Sequence, residues 1–192
     1  MVSVAVRDVR DVRNVARGMI EAGALSIRDV DAGEEPFLYA SGNWGPGYVM
    51  VKGLVTDGPF FSYMVRCLAD KLYKAAGGTS GWGRCQLIAG NVTGGMIPGW
   101  VLSEFLRVPF VYIRDLRKKG GHKELITGDL NGRHKDKWTV PVEELVNFAE
   151  TMVNSAIELR KAGYKVAYGA TILTYNNPSA LRENVEPPTL FC

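Results

Sequence analysis

Histidine and cysteine, the residues that most often advertise a metal or a redox site, are scarce in this chain. Its 192 residues include two histidines and three cysteines. His122 and His134 have no partner at metal-ligand spacing, so a cage of protein ligands around a metal is not expected. The cysteines are widely spaced and odd in number, which excludes a disulfide framework and a zinc pattern. They read as reduced thiols, which fits a cytoplasmic setting. No apolar run approaches the roughly 20 residues of a membrane span. The N-terminus carries charges every few residues and lacks an apolar segment, so a signal peptide is not expected either. Net charge is only +3, too small to argue for a nucleic-acid partner. Repeats, low-complexity tracts and long linkers are missing as well. An apolar fraction of 46% with 22% charged residues is that of a soluble globular protein. The length suits one ordinary α/β domain with, at most, a small appendage.

What is present is organised around Cys85 to Ile113. The apolar run Gln86-Leu87-Ile88-Ala89 has strand length. The turn Gly90-Asn91-Val92-Thr93-Gly94-Gly95 follows. Met96, Ile97, Trp100, Val101, Phe105 and Leu106 then recur at helical spacing, and Val108 to Ile113 is a second strand-like run. Strand, glycine turn, helix and strand make a βαβ unit and imply a parallel sheet. The turn of such a unit lies at the carboxyl edge of the sheet, where backbone N–H groups and the helix N-terminus favour an anion. On spacing alone, the glycines serve either that purpose or only a tight turn.

Upstream, Val6, Val9, Val12, Val15, Met19 and Ile20 mark an amphipathic helix stopped by Gly23. Its Arg-Asp alternation reads as a solvated face rather than a nucleic-acid surface. Ala24 to Ile27 has the length of a short strand. Pro36 to Lys52 reads as a hairpin-like pair of strands around a Gly/Ser/Pro turn, which is either a binding loop or a plain connection. Phe60 to Ala76 is a second helix, with Phe61, Met64, Val65, Leu68 and Leu72 on its apolar stripe.

Downstream, Arg114 to Lys123 holds five cations against one acid around Gly120-Gly121, a positive loop following a strand. The segment Trp138 to Gly163 has two readings. Trp138 to Val142 can be a strand leading to Glu143-Glu144 and then a helix. Alternatively, Thr139 caps one long helix with Pro141 in its first turn, and Glu143 and Glu144 merely complement its dipole. The spacing of Val142, Leu145, Val146, Ala149, Met152, Val153 and Ala156 favours the long helix. Tyr164 to Leu173 alternates as a strand, and Asn176-Asn177-Pro178 turns into a tail.

The order of these pieces resembles the type I phosphoribosyltransferases, and most of all orotate phosphoribosyltransferase, over about Ile20 to Leu181. Ile20 to Leu25, followed by Phe37-Leu38-Tyr39-Ala40-Ser41-Gly42, is similar to that family's opening. Ala89 to Pro98 resembles its pyrophosphate-binding turn. Arg114, Lys118, Gly121, Ile126 and Gly128 keep the spacing of its flexible catalytic loop. Glu143-Glu144 followed by Thr151 falls where the family has the acidic pair and hydroxyl of its phosphoribosyl-pyrophosphate (PRPP) signature. Between them stand Asn147-Phe148-Ala149-Glu150, where the family has small residues and two glycines. Tyr175 stands where an arginine for the orotate carboxylate is usual.

The resemblance implies an α/β fold, a central mostly parallel sheet flanked by helices. A small N-terminal hood would cover residues 1–58 and the core residues 59–192. It implies transfer of ribose 5-phosphate from PRPP to a pyrimidine base, orotate giving orotidine 5′-phosphate, with release of pyrophosphate. Thr93, Gly94, Gly95 and Arg114 would hold the pyrophosphate. Glu143, Glu144 and Thr151 would hold the ribose phosphate, Lys118 and Glu144 would serve catalysis, and Ser41, Gly42 and Asn43 would line the base pocket. Mg2+ would be carried on PRPP rather than held directly by the protein. A homodimer is implied, with Lys118 reaching into the partner's site. A catalytically impaired homologue that binds nucleotide, PRPP or a partner is the alternative. Transfer to another base, stacked on Trp44 or Tyr175, is a third reading.

Overall fold

The two apolar runs of the central unit become neighbouring parallel strands. β5 (Leu87–Asn91) and β6 (Phe110–Ile113) pair in parallel with Ile88 opposite Phe110 and Asn91 opposite Ile113. Between them α3 (Met96–Leu106) crosses back over the sheet. The structure, a computed structural model, describes residues 9–39, 42–76, 85–114, 125–175, 177 and 189–191. The chain divides into two compact units, Arg7–Phe61 and Ser62–Cys192.

In the first unit, α1 (Val9–Glu21) buries Val15 and Met19 and ends at Gly23, whose φ of 69° is left-handed. β1 (Leu25–Ile27) pairs antiparallel with β4 (Gly47–Val49), and β2 (Phe37–Leu38) with β3 (Trp44–Gly45). The expected hairpin is therefore present as the short β2–β3 pair. Tyr39 and Asn43 close its turn through the Tyr39 N–H and the Asn43 carbonyl at 2.8 Å. The Arg28 guanidinium lies 3.8 Å from the centre of the Phe37 ring, a cation–π contact that braces the turn. A 3-10 turn, Val51–Thr56, leads to α2 (Gly58–Ala75), which crosses the boundary between the units.

The second unit is built on a six-stranded sheet in the order β10-β9-β8-β5-β6-β7. Its further strands are β7 (Ile126–Thr127), β8 (Thr139–Val146), β9 (Gly169–Thr174) and β10 (Thr189–Phe191). All neighbours are parallel except β6 and β7. α4 (Glu150–Lys161) covers one face, where Leu87, Ala89, Val111 and Ile113 meet Ala156, Leu159, Tyr164 and Val166. α3 packs against β5, β6 and β8. The stripe of α2 is fully buried at Met64, Val65, Leu68 and Leu72, each worth about 1.5–3 kcal/mol in transfer from water. No helix among the described residues is long and apolar enough to cross a membrane.

The long helix over 141–161 is not formed. Residues 139–146 are the strand β8, and the helix starts only at Glu150. Pro141, read as a first-turn residue, lies within a strand flanked on both sides. A proline normally breaks such a strand because it has no N–H to donate. Alternation along β8 puts that missing donor on the same side as the Thr139 N–H, which bonds the Lys165 carbonyl of the β9 side at 2.7 Å. The β8–β9 ladder resumes only at Val142 opposite Ala170. Pro141 thus falls in a gap of the ladder, where no donor is required.

Candidate active site

Parallel strands bring their carboxyl ends to one edge, and there the second unit gathers its polar residues. β5 ends at Asn91 and runs into the turn Val92–Gly95. β6 ends at Ile113, opposite Asn91, and Arg114 follows. β8 carries Glu143 and Glu144 in its last turn of pleat. Adjacent strand residues face opposite sides. Glu143, two residues from Pro141 and in register with the Leu87-Ala89-Asn91 side of β5, lies on the α4 face; Glu144 lies on the α3 face.

Each acid is tied to the glycine turn by a different contact. The Asn91 Nδ2 donates to Glu143 Oε1 at 2.8 Å, and the Ser155 hydroxyl donates to Asn91 Oδ1 at 2.7 Å. On the other face, a Cβ on Gly94 would stand 2.5 Å from the Glu144 carboxyl carbon. Gly94 is therefore where the Glu144 side chain comes down on the turn.

Gly95 has another task. A Cβ there would overlap the Val142 carbonyl oxygen of β8, and its N–H donates to the Asn91 carbonyl at 2.8 Å. The Gly95 N–H is thus engaged within the turn. The N–H groups of Thr93 and Gly94 have no partner among the described residues, and Thr93 is exposed. The peptide between Val92 and Thr93 is cis. α3 starts without a side-chain cap, and Pro98 in its first turn has no N–H to satisfy. Gly90 and Gly99 let α3 sit against β5, with a Gly99 Cβ position 3.1 Å from the Gly90 Cα.

The β8–α4 connection is short: Asn147, Phe148 and Ala149. Ala149 is the residue before α4 and has φ +63°, the left-handed region that glycine occupies without cost. Glu150 opens the helix and Thr151 is exposed in its first turn. Phe148 is 39% exposed. Tyr175 follows β9, its N–H bonded to the Val146 carbonyl at 3.1 Å.

Thr93, Gly94, Glu143, Glu144, Arg114 and Thr151 thus belong to one sheet edge of the second unit. Gly42 and Asn43 lie in the β2–β3 turn of the first unit, Gly42 with φ +82°. Ser41, Lys118 and the basic loop after Arg114 fall outside the described residues. The sequence reading missed Asn91 and Ser155. Asn91 was legible as the one amide at the end of an apolar strand. Ser155 carried no such signal, since a serine on a helix reads as surface. Cys85, just before β5, is no nucleophile: burial pushes its thiol up to about 12. No cluster of three or more His, Cys, Asp or Glu side chains able to hold a metal occurs among the described residues.

No model of a known protein family matches the chain. Its sequence is 26% identical over 163 residues to orotate phosphoribosyltransferase of Listeria monocytogenes serotype 4b (strain F2365), covering 85% of this chain and 72% of the relative. It is 28% identical over 167 residues to the orotate phosphoribosyltransferase of Porphyromonas gingivalis (strain ATCC BAA-308 / W83), covering 86% and 73%. Orotate phosphoribosyltransferase from Aeropyrum pernix superposes with a TM-score of 0.71 at 21% identity, over 92% of this chain and 90% of that one. The fold is that of the type I phosphoribosyltransferases. Adenine phosphoribosyltransferase from Saccharomyces cerevisiae shares it, with a TM-score of 0.68 at 13% identity over 93% and 98% of the chains. Phosphoribosyltransferases of different base specificity therefore share this scaffold, and the glycine turn, the acids and α4 occupy its carboxyl edge.

Proposed function

We propose that this chain is a phosphoribosyltransferase of the orotate type. It transfers ribose 5-phosphate from PRPP to a pyrimidine base, orotate giving orotidine 5′-phosphate, and releases pyrophosphate. The observation that carries this reading is the descent of Glu144 onto Gly94, which joins the glycine turn at the sheet edge to a carboxylate that can take sugar hydroxyls. The curated relatives of similar sequence, all orotate phosphoribosyltransferases among those compared, support the choice of base.

In this reading the Thr93 and Gly94 N–H groups and the Thr93 hydroxyl receive the pyrophosphate. Arg114, and Lys118 beyond it, neutralise the charge that builds on the leaving group as the sugar approaches an oxocarbenium ion. Glu143 and Glu144 hold the ribose hydroxyls, and Thr151 donates to the ribose phosphate. Ser41, Gly42 and Asn43 are the residues that the family resemblance assigns to the base. Mg2+, which suits PRPP oxygens and waters, supplies charge neutralisation on the pyrophosphate when bound. Two carboxylates at the edge fit such a bound salt without forming a cage of their own. We place the protein in the cytoplasm as a homodimer. The apolar residues that α3 exposes, Ile97, Trp100 and Phe105, at 49%, 54% and 44%, support a second copy on that helix.

A specific observation favours a second reading. Glu150 in the first turn of α4 puts a carboxylate where the ribose phosphate would come, and a catalytically impaired homologue that binds nucleotide, PRPP or a partner would tolerate it. Calorimetry with Mg-PRPP separates the two. Heat of binding, followed by pyrophosphate release with orotate and not with uracil or purine bases, supports the transferase. Absence of heat at millimolar ligand removes it, and binding without pyrophosphate release leaves the binding module.

A further inference from the structure

Asn91 is a junction of the site that the transfer chemistry itself does not call on. It is the last residue of β5 and 2% exposed. Its carbonyl takes the Gly95 N–H at 2.8 Å, closing the glycine turn. Its side-chain amide donates to Glu143 Oε1 at 2.8 Å and accepts from the Ser155 hydroxyl at 2.7 Å. An ionised carboxylate only accepts and an amide oxygen only accepts. The carboxylate therefore selects the orientation in which the amide donates to it, and Ser155, 6% exposed on α4, adds a second bond by donating to the amide oxygen. One residue thus joins the turn, the acid on β8 and the helix behind them. Glu143 is half-buried at the open edge while its anchor is closed off from water, so the amide holds one carboxylate oxygen from the closed side before any ligand arrives.

We propose that Asn91 is a positioning residue: it fixes the Glu143 carboxylate relative to the glycine turn, and Ser155 fixes Asn91. This rests on the reading of the edge as a PRPP site, with Glu143 on the ribose. Preorganisation of this kind matters because a carboxylate free to rotate must be ordered at the cost of binding energy.

The test has a ligand-free arm and a ligand arm. In the free protein, the Asn91 side-chain amide, followed by 15N resonance, exchanges slowly with solvent and shifts in Glu143→Gln. Exchange at the rate of a surface amide overturns the proposal. In the ligand arm, Mg-PRPP affinity is measured for the wild type, Asn91→Asp and Ser155→Ala. Asn91→Asp keeps the shape and replaces the donor with a second carboxylate beside Glu143. Its affinity falls about tenfold or more below wild type at about pH 8 and recovers towards it at about pH 6, where a shared proton restores a donor. Ser155→Ala falls by roughly threefold at both, because the amide loses its brace and keeps its donor. A merely structural role would lower thermal stability without this pH-dependent recovery. Wild-type affinity in Asn91→Asp at about pH 8 overturns the positioning role and leaves the phosphoribosyl reading intact. No binding by the wild type overturns both.

Discussion

The Glu144 carboxyl carbon lies 2.5 Å from the place a Cβ on Gly94 would occupy. The obstacle is the end of a flexible side chain, so it can move. Gly94→Ala is expected to fold, with stability within about 1 kcal/mol of wild type. Its Mg-PRPP affinity should fall by about tenfold, equivalent to about 1.4 kcal/mol, because Glu144 is pushed off the turn. Paired thermal unfolding and calorimetry check this. An unfolded variant, or one with unchanged affinity, would sink the assignment.

Gly95 is the control, one residue on. Its missing Cβ faces the Val142 carbonyl in a central strand, and backbone there cannot swing away. Gly95→Ala should lose about 3 kcal/mol of stability, seen as a lower midpoint in chemical denaturation. The two neighbouring glycines are thus expected to fail in different ways, one in binding and one in folding.

Glu150 stands in the first turn of α4, where the proposed reading puts the ribose phosphate and a helix otherwise favours an anion. Glu150→Thr should strengthen Mg-PRPP binding by roughly fivefold to tenfold, the effect of removing one like charge at a partly solvated distance. The gain should shrink with added salt. Equal affinities in calorimetry would show that the phosphate does not come to this turn.

Cys85 provides a pH test of the core. Its folded thiol is raised from 9.0 to about 12. Between those values the unfolded chain has lost the proton and the folded chain keeps it, so stability falls as pH rises. Cys85→Ala should flatten that part of the alkaline stability profile, measured by denaturant unfolding against wild type. An identical slope would mean that the thiol is not so enclosed.

The exposed apolar face of α3 gives a fifth expectation. Trp100→Glu should shift a dimer to monomer in sedimentation velocity, with the unfolding midpoint of the second unit little changed. A monomeric wild type would remove the proposed assembly.

Much of the sheet edge was legible because its elements obey local rules. β5, the glycine turn, α3 and β6 follow from apolar periodicity and two adjacent glycines. The acids were legible as residues and not as a place. β8 is buried on both faces, so its apolar residues run on rather than alternate. Joined to α4 through only Asn147-Phe148-Ala149, they imitate a helical stripe. Nothing local shows that Pro141 falls in a ladder gap, because that depends on where β9 pairs. The partners of Asn91 lie 52 and 64 residues away. Such a contact is a property of the fold, and no spacing in the sequence announces it.

In the proposed reading, the glycine turn offers an anion peptide hydrogens and, of its side chains, the Thr93 hydroxyl. Gly94 and Gly95 have no room for a Cβ, because Glu144 and the Val142 carbonyl stand in its place, so a larger residue at either must displace a neighbour. The β8–α4 turn presents side chains, and there residues can be exchanged while the strand and helix around them persist. Divergence at this sheet edge therefore has one open door. In the proposed reading, a chain that keeps the glycines would keep its grip on pyrophosphate while the residues at the other end of the sugar change.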